Sequence, residues 1–177
     1  MEWVALFSQT GSEILEVSKK LGRFPDRVIT NNQDITTIND ELRQNAVMWY
    51  CPKKPTVDEY LSHLPKKSLV TMHGWLRIVP GEVCEQRNIY NGHPGLITEF
   101  PELKGKDPQQ KAIDLGLWYS GCILHEATAE LDGGPIIDVS DKVSIKGKTA
   151  DNVFADLHAA SVQLWVKFLT KKLNERN

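Results

Sequence analysis

The first twenty residues constrain the fold more than any other part of the chain. Trp3–Phe7 is a continuous apolar run, which is typical of a strand buried on both faces of a parallel sheet. A turn containing a glycine follows at residues 8–12, and the apolar spacing from Ile14 to Leu21 then predicts an amphipathic helix. A strand, a tight glycine turn and a helix in this order open a βαβ unit, so the sequence predicts an α/β fold.

Predicted strands and helices alternate through most of the remaining chain. This order indicates a Rossmann-like fold, in which helices flank a mostly parallel central sheet and a long helix closes the chain. Ligands of such sheets bind beyond the carboxyl ends of the strands. The later predicted strands are Arg27–Thr30, Val47–Tyr50, 68–72, 89–91, 118–126 and 135–143. The later predicted helices are 35–42, 56–64, 107–115 and a long one from about Thr149.

Three of these helices carry specific signals. Thr56 with Glu59 predicts a capping box, and Asp107 before Pro108 predicts an N-cap followed by proline at the first helical position. In the last helix the apolar residues recur at three- and four-residue spacing, which predicts one buried stripe. The stripe comprises Val153, Phe154, Leu157, Ala160, Leu164, Trp165 and Phe168.

Length and composition exclude several classes of protein. The 177 residues suffice for one domain with a real core and are short for two, so 1–177 is predicted to be a single domain. A net charge of −2 gives no general affinity for nucleic acid. Three cysteines without a Cys-x-x-Cys pair indicate reduced thiols and no metal site. With no signal peptide and no apolar run of membrane-spanning length, the sequence predicts a cytoplasmic protein.

Three polar residues in two turns have the chemistry of acyl transfer. Asn91 and His93 are one residue apart at a strand end, so their side chains project to the same side. The Asn91 amide can donate to a developing oxyanion, and His93 can move a proton or help to hold that oxyanion. Asp132 can orient the imidazole and raise its pKa, or hold a water that relays protons. Gly92 and Gly95 are expected to sharpen the turn and to leave room for a ligand.

Four motifs in a fixed order strengthen this interpretation. Residues 74–79 read Gly-Trp-Leu-Arg-Ile-Val, 91–96 read Asn-Gly-His-Pro-Gly-Leu, 120–125 read Ser-Gly-Cys-Ile-Leu-His, and 132–137 read Asp-Gly-Gly-Pro-Ile-Ile. They resemble Gly-Phe-Met-Arg-Ile-Leu, Asn-x-His-Pro-Ser-Leu-Leu-Pro, Thr-Gly-Cys-Thr-Val-His and Asp-x-Gly-x-Ile-Ile of the glycinamide ribonucleotide formyltransferase family. The resemblance runs over nearly the whole chain and is densest between the first and last of these motifs.

The resemblance implies a formyl transfer from 10-formyltetrahydrofolate to an amine, with Asn91, His93 and Asp132 as the catalytic residues. His125 matches a further family histidine near the site, although an ordinary strand residue fits its context equally well. Two loops would hold the pterin ring of the donor through backbone groups and apolar contacts. Their residues are Leu76, Arg77, Val79, Ala127, Thr128, Ala129, Glu130 and Leu131.

The first turn departs from the family pattern. In the family this turn reads Gly-Asn-Gly-Ser-Asn and holds the substrate's phosphate at the helix N-terminus. In this chain the corresponding residues 9–13 read Gln-Thr-Gly-Ser-Glu. Thr10, Gly11, Ser12 and Glu13 are therefore the expected substrate-binding residues. A carboxylate beside a phosphate is unfavourable, yet an acidic residue also suits the first turn of a helix. An acceptor that offers a cation or sugar hydroxyls to Glu13 is the alternative.

Two further positions depart from the family pattern, and the first of them, the segment 97–106, borders the acceptor side of the predicted site. The segment 97–106 is a little longer than the family loop, which makes a shifted acceptor specificity plausible. His73 stands where the family has a small residue, and it either touches a ligand or has a packing role.

Three functions remain open from the sequence. The favoured one is a formyltransferase for glycinamide ribonucleotide or a related amino sugar or nucleotide; the others are a 10-formyltetrahydrofolate hydrolase and a non-catalytic folate- or nucleotide-binding module. The regulatory domain usual in the hydrolases and the tRNA-binding domain of methionyl-tRNA formyltransferases have no counterpart in the sequence, and the three catalytic residues disfavour a binding module. The expected partner is a small amine, without a stable nucleic-acid or membrane partner, and the oligomeric state stays undetermined.

Overall fold

Nine strands are present in residues 1–175. A computed structural model describes residues 1–175. The strands are β1 Trp3–Phe7, β2 Arg27–Thr30, β3 Val47–Tyr50, β4 Leu69–Met72, β5 Asn88–His93, β6 Tyr119–Ser120, β7 Ile123–Glu126, β8 Ile136–Val139 and β9 Val143–Ser144. Seven of them form one sheet in the order β3-β2-β1-β4-β5-β7-β8, while β6 pairs with β9. The five strands from β3 to β5 are parallel, and β7 and β8 continue the sheet antiparallel.

Helices cover both faces of this sheet. They are α1 Ser12–Leu21, α2 Asp40–Asn45, α3 Val57–His63, α4 Gly81–Gln86, α5 Pro108–Asp114 and α6 Ala150–Asn174. Successive residues of β1 point to opposite faces, so Trp3 packs in the core beneath α1 and α6 while Val4 packs in the core beneath α3 and α4. Both faces of β1 are buried, which explains its uninterrupted apolar sequence. The predicted α/β fold with a mostly parallel sheet and a long final helix is confirmed.

Several local predictions agree with the structure. β2 and β3 have the predicted bounds, and α6 begins after Thr149, whose side chain accepts a hydrogen bond from the Asn152 backbone. Thr56 and Glu59 form the predicted capping box at the start of α3. The turns after β1, β4 and β5 lie at one edge of the sheet because these strands are parallel neighbours. That edge is where a ligand is expected.

Two predicted strands are interrupted in the structure. The run 118–126 divides into β6 and β7, and the run 135–143 divides into β8 and β9. The breaks lie together, because the Cys122 backbone donates to the Ser140 hydroxyl at 2.8 Å and the Ser140 backbone donates to the Cys122 carbonyl at 2.8 Å. These hydrogen bonds hold the two segments together at the point where each passes between the main sheet and the β6–β9 pair.

Three helix predictions need correction. The run 35–42 is a short 3₁₀ turn followed by α2, because Ile38 is extended and the Asn39 side chain caps a new helix by accepting from the Leu42 backbone. Asp107 precedes α5 in a left-handed conformation, and its side chain makes no cap hydrogen bond. Phe154 is exposed and lies off the buried stripe of α6.

Two further findings concern the cysteines and the apolar character of the helices. Cys51, Cys84 and Cys122 all carry free thiols. Over residues 1–175, none of the helices combines the length and the apolar character needed to span a membrane.

Candidate active site

Strand β5 brings Asn91 and His93 to the predicted edge of the sheet. The register pairs Asn91 with His125 of β7, and the Asn91 Nδ2 atom lies 3.2 Å from His125 Nε2. His125 Nδ1 lies 3.0 Å from the Glu126 carbonyl, which can only accept, so Nδ1 carries a proton. In neutral His125 this leaves Nε2 to accept from the Asn91 amide, which keeps a second hydrogen for another acceptor.

Asp132 joins these residues from the loop after β7. Its backbone is left-handed, with φ of 52°, and the residue is 6% exposed. One carboxylate oxygen lies 3.6 Å from His93 Nδ1 and the other lies 3.6 Å from His125 Nε2. We call these four residues, Asn91, His93, His125 and Asp132, the β5–β7 cluster. The sequence predicted three of them as catalytic residues and left His125 undecided.

The electrostatic environment separates the protonation states of His93 and Asp132. Burial lowers the pKa of His93 below its ordinary value, and the charge of Asp132 and the Leu103 carbonyl oppose this only in part. Burial raises the pKa of Asp132, but the adjacent His125 and His93 and the Gly105 backbone together hold it below its ordinary value. A neutral histidine therefore lies beside an ionised carboxylate near neutral pH.

The segment 97–106 closes one side of the β5–β7 cluster. His93 Nε2 lies 2.8 Å from the Leu103 carbonyl, so this nitrogen donates. The Gly105 backbone donates to an Asp132 carboxylate oxygen at 2.9 Å. In neutral His93 the Nδ1 atom then keeps its lone pair and faces Asp132, a geometry in which Nδ1 can take up a proton and Asp132 can stabilise the resulting charge.

Gly92 and Gly95, on either side of His93, have a different structural role from the predicted one. A Cβ atom on Gly92 would lie 2.8 Å from Trp165 Nε1, and one on Gly95 would lie 2.8 Å from Pro108 and 3.2 Å from the His93 ring. Both glycines therefore make room for neighbouring parts of the protein, whereas room for a ligand was expected. Trp165 is fully buried, so it fixes the backbone between the two polar residues of β5.

One of the two loops expected to hold the pterin, 127–131, packs against the start of α4, which follows the other loop in the chain. A Cβ atom on Gly81 at the start of α4 would lie 3.0 Å from the Ala129 Cβ atom. Leu76 and Ile78 are 66% and 63% exposed, whereas Val79 is 4% exposed and packs in the core beneath α3 and α4. The outward apolar side chains are thus Leu76 and Ile78, and Val79 has only its backbone to offer.

Of the other members of these loops, four are exposed (Arg77, Ala129, Glu130 and Leu131), whereas Ala127 and Thr128 are half-buried. Ala127 packs against the core beneath α3 and α4. Arg77 Nε donates to the Lys53 carbonyl at 2.8 Å, and Thr128 Oγ1 accepts from the Glu130 backbone at 3.3 Å. Leu131, next to Asp132, is 54% exposed. Two of the predicted donor-site residues also line an open cavity of about 430 Å³ at the carboxyl ends of β1, β2 and β4, which the sequence did not indicate. Its lining is Ser8, Asn31, Asn32, Gln33, Asp34, Lys53, Leu76 and Arg77.

The first turn is held mainly by contacts within the protein. Gly11 has φ of 78°, and a Cβ atom there would lie 2.5 Å from Leu42 Cδ2. Thr10 Oγ1 accepts from the Ser12 backbone at 3.3 Å, and Ser12 is exposed. Glu13 points inward and lies 2.8 Å from His73 Nδ1. Two of the positions that depart from the family pattern, Glu13 and His73, therefore contact each other.

Among residues 1–175, no group of three or more histidine, cysteine or acidic side chains is arranged to hold a metal ion.

His125 is the site residue whose role the sequence alone left undecided. A usable signal was the alternation of β7, which places Ile123 and His125 on the same face as the polar residues of the adjacent strand. That signal needed the pairing register, which no local pattern supplies.

Comparisons with known proteins identify the family and agree with the fold. Residues 27–169 match the family model described as formyl transferase. The chain is 28% identical over 119 residues to the trifunctional purine biosynthetic protein adenosine-3 of Bos taurus, covering 66% of this chain and 11% of that protein. It is 29% identical over 135 residues to the formyltetrahydrofolate deformylase of Synechocystis sp., covering 71% of this chain and 44% of that protein.

A solved structure matches over most of both chains. The phosphoribosylglycinamide formyltransferase of Anaplasma phagocytophilum superposes with a TM-score of 0.80 at 26% identity, covering 94% of this chain and 83% of that one. By contrast, the chain spans about a tenth of the bovine protein and less than half of the deformylase.

Proposed function

The chain belongs to the formyl transferase family, and we propose that it transfers a formyl group from 10-formyltetrahydrofolate to the amine of a small acceptor. The β5–β7 cluster is the observation that carries this proposal. It joins an amide donor, two imidazoles and a carboxylate at the carboxyl end of a parallel strand, with no nucleophilic side chain among them. Such a set suits direct attack of an amine on an activated acyl carbon.

The donor fits between the loops that follow β4 and β7. 10-Formyltetrahydrofolate supplies a formyl carbonyl that an amine can attack. Exposed Leu76 and Ile78 offer flat apolar contact to its pterin ring, and Ala129 approaches from the facing loop. The Leu76 backbone donates to the Ser8 hydroxyl at 2.9 Å, which ties this loop to the segment that follows β1. We assign Arg77, Val79 and the loop 127–131 to the same donor site.

The residues of the cluster divide the chemistry among them. The free amide hydrogen of Asn91 donates to the carbonyl oxygen as negative charge develops there. His93 Nδ1 accepts the proton that the attacking amine loses, and the carboxylate of Asp132 stabilises the imidazolium that results. The bond between the formyl carbon and the donor nitrogen then breaks, and that nitrogen takes the proton from His93, which leaves tetrahydrofolate and the formylated amine. His125 orients the Asn91 amide through its Nε2 atom. Each role uses an atom that the fold leaves available.

The wider assignment follows from the same site. We propose that residues 1–177 act as one domain on a small-molecule amine, with neither a nucleic-acid partner nor a membrane needed for the reaction. The three free thiols suit a reducing compartment, so we place the protein in the cytoplasm. Glycinamide ribonucleotide, an amino sugar and a modified nucleotide are the acceptors to compare.

Hydrolysis of the donor is the second candidate function. The observation that favours it is the similarity to a formyltetrahydrofolate deformylase over 71% of this chain. Water in place of the amine would use the same proton acceptor on His93, and the products would be formate and tetrahydrofolate.

One assay distinguishes these functions. The protein is incubated with 10-formyltetrahydrofolate and a panel of amines that includes glycinamide ribonucleotide and amino sugars, and formate and formylated amine are measured by mass spectrometry. We expect a formylated amine with at least one acceptor, and its loss in the His93→Ala variant. Formate as the sole product, independent of any amine, would replace transfer with hydrolysis, and an intact donor in every mixture would refute both.

A further inference from the structure

The peptide group between Lys104 and Gly105 is hydrogen-bonded at both of its ends. Its N–H, which belongs to Gly105, donates to a carboxylate oxygen of Asp132 at 2.9 Å. Its carbonyl, which belongs to Lys104, accepts from Lys111 Nζ of α5 at 2.9 Å. The carbonyl and the N–H of a trans peptide point in opposite directions, so a cation binds this group on one side and a carboxylate binds it on the other.

The same carboxylate oxygen of Asp132 faces His93. It lies 3.6 Å from His93 Nδ1, the atom that takes up the proton in the proposed reaction. The preceding peptide group, whose carbonyl belongs to Leu103, accepts from His93 Nε2 at 2.8 Å. Two successive peptide groups thus hold the two residues that handle the proton, and a shift of the turn 103–105 would displace both.

The turn 103–105 is supported by α5. Leu103 of the turn and Ala112 of α5 are both fully buried in the core beneath α1 and α6, which fixes one end of the turn. At the other end Gly105 has φ of 89°, and a Cβ atom there would lie 3.7 Å from Lys111 Nζ. The ammonium group therefore packs against the backbone of the residue whose N–H reaches Asp132.

The charges of Lys111 and Asp132 strengthen the hydrogen bonds of the peptide between them. Hydrogen bonds to ionised groups are stronger than neutral ones, and a cation at a carbonyl polarises the peptide so that its N–H becomes a better donor. Asp132 is 6% exposed, so solvent screens this effect only weakly. From β5 and β7 the titratable groups that face Asp132 are His93 and His125, and from α5 Lys111 faces it across the peptide.

We propose that Lys111 is a positioning residue for formyl transfer: its ammonium group orients and polarises the 104–105 peptide, whose N–H holds the Asp132 carboxylate beside His93. Lys111 acts through this peptide and takes no part in the proton transfer itself. The inference rests on the proposed function, because it adds a residue to the same site. It also assigns the backbone of the segment 97–106 a part in the reaction, since this backbone holds both His93 and Asp132.

The test replaces Lys111 and follows Asp132 and Gly105 by NMR. Lys111→Met keeps an unbranched side chain and removes both the charge and the hydrogen bond. The Gly105 N–H helps to hold the pKa of Asp132 below its ordinary value, so we expect that pKa to rise, with the acid dissociation constant falling about threefold. The Gly105 amide proton signal should move to lower frequency because its hydrogen bond weakens. Lys111→Arg, which keeps the charge and the donor, should restore both toward the wild type.

Lys106→Met is the matched control, because Lys106 is an exposed lysine of the same segment. It removes the same charge and should leave the Asp132 titration and the Gly105 signal unchanged. Equal changes in this control, or a rise in the Asp132 pKa without movement of the Gly105 signal, would show that the charge acts through space and would overturn the proposal. Should Lys111→Met fail to fold, Lys111→Gln is measured in its place, and an unchanged Asp132 titration there would also overturn it.

Turnover supplies a further readout. Misplacing a group in the site slows the chemical step, so we expect the kcat of formyl transfer to fall about tenfold or more in Lys111→Met, with the KM of the acceptor unchanged. An unchanged kcat would overturn the proposal, and a higher acceptor KM beside it would mean that Lys111 binds the acceptor. The NMR titrations need no substrate, so failure of formyl transfer with every amine would refute the proposed function and leave the link between Lys111 and Asp132 standing.

Discussion

Two carboxylate–histidine contacts lie at the same edge of the sheet and differ in how tightly they are made. Glu13 and His73 lie 2.8 Å apart, and every polar atom of both side chains has a hydrogen-bond partner within the protein. Asp132 lies 3.6 Å from both His93 and His125. The first contact is complete, and the second leaves the His93 Nδ1 lone pair without a donor of its own.

The difference in hydrogen bonding between His73 and His93 indicates which of them can exchange a proton. A histidine whose two nitrogens are both engaged, as in His73, is poorly placed to exchange a proton with a ligand. A histidine beside a carboxylate that is close enough to stabilise its charge, as in His93, can take up a proton when a substrate supplies one. The tight contact therefore suits a fixed electrostatic feature, and the loose contact suits chemistry.

The largest expected effect lies in the loose contact. Asp132→Asn removes the charge that stabilises the His93 imidazolium, so we expect the turnover of formyl transfer to fall by about 10²–10⁴-fold. Steady-state kinetics with the best acceptor measure this. Asp107→Asn is the matched control, because Asp107 is the other non-glycine residue among 1–175 with a left-handed backbone and it is exposed. Comparable losses in both variants would show that backbone conformation, and not the Asp132 charge, supports turnover.

The tight contact should appear in stability. Glu13→Gln removes a charge-assisted hydrogen bond to a buried histidine, so we expect the free energy of unfolding at pH 7 to decrease by about 1.5–3 kcal/mol. Because the pKa of Glu13 is below its ordinary value of 4.5 in the folded state, its contribution is present above pH 4.5 and is lost as the pH falls through the folded-state pKa. Urea unfolding across pH 3–7 tests this.

The control for stability is Glu16→Gln, which breaks the contact of another α1 carboxylate with a histidine. Glu16 and His158 are partly exposed, and exposed ion pairs contribute about 0–1 kcal/mol. A difference between wild type and Glu13→Gln that stays constant from pH 7 to pH 3 would contradict an ionised Glu13.

Trp165 connects the two contacts and offers a third test. It packs against His73 on one side and leaves room only for glycine at position 92 on the other. Gly92→Ala forces Trp165 or β5 to shift, so we expect a loss of about 1–3 kcal/mol in the free energy of unfolding. Denaturant unfolding of Gly92→Ala and of Gly22→Ala gives the comparison. Gly22 is left-handed but has open space around it, so its variant carries backbone strain without a clash.

Local sequence patterns were sufficient for most of the sheet. An apolar run such as Trp3–Phe7 identifies a buried strand without knowledge of its neighbours, and the cap at Thr56 is a local hydrogen-bond pattern. The break at Cys122 was not predictable in this way. It depends on hydrogen bonds with Ser140, which lies eighteen residues away in the chain.

In the candidate site, too, some features follow from local patterns and others depend on residues far apart in the chain. Asn91, His93 and Asp132 were identified from residue chemistry and from motifs, and the structure brings them together with His125. The contact between Glu13 and His73 joins residues sixty positions apart, so each could be identified only as a separate departure from the family pattern. Long-range pairing decides which unusual residues act together, and a local pattern does not contain it.

The smallest expected effect is a change in the titration of His93. Asp132 raises the pKa of His93 against the larger opposing effect of burial, so Asp132→Asn should lower that pKa further. NMR titration of the histidine ring signals measures this without turnover, and His93→Gln assigns the signal. Asp107→Asn should leave the His93 titration unchanged. A higher pKa for His93 in Asp132→Asn would mean that Asp132 does not stabilise the imidazolium at 3.6 Å, and the loose contact would then lose its distinction from the tight one.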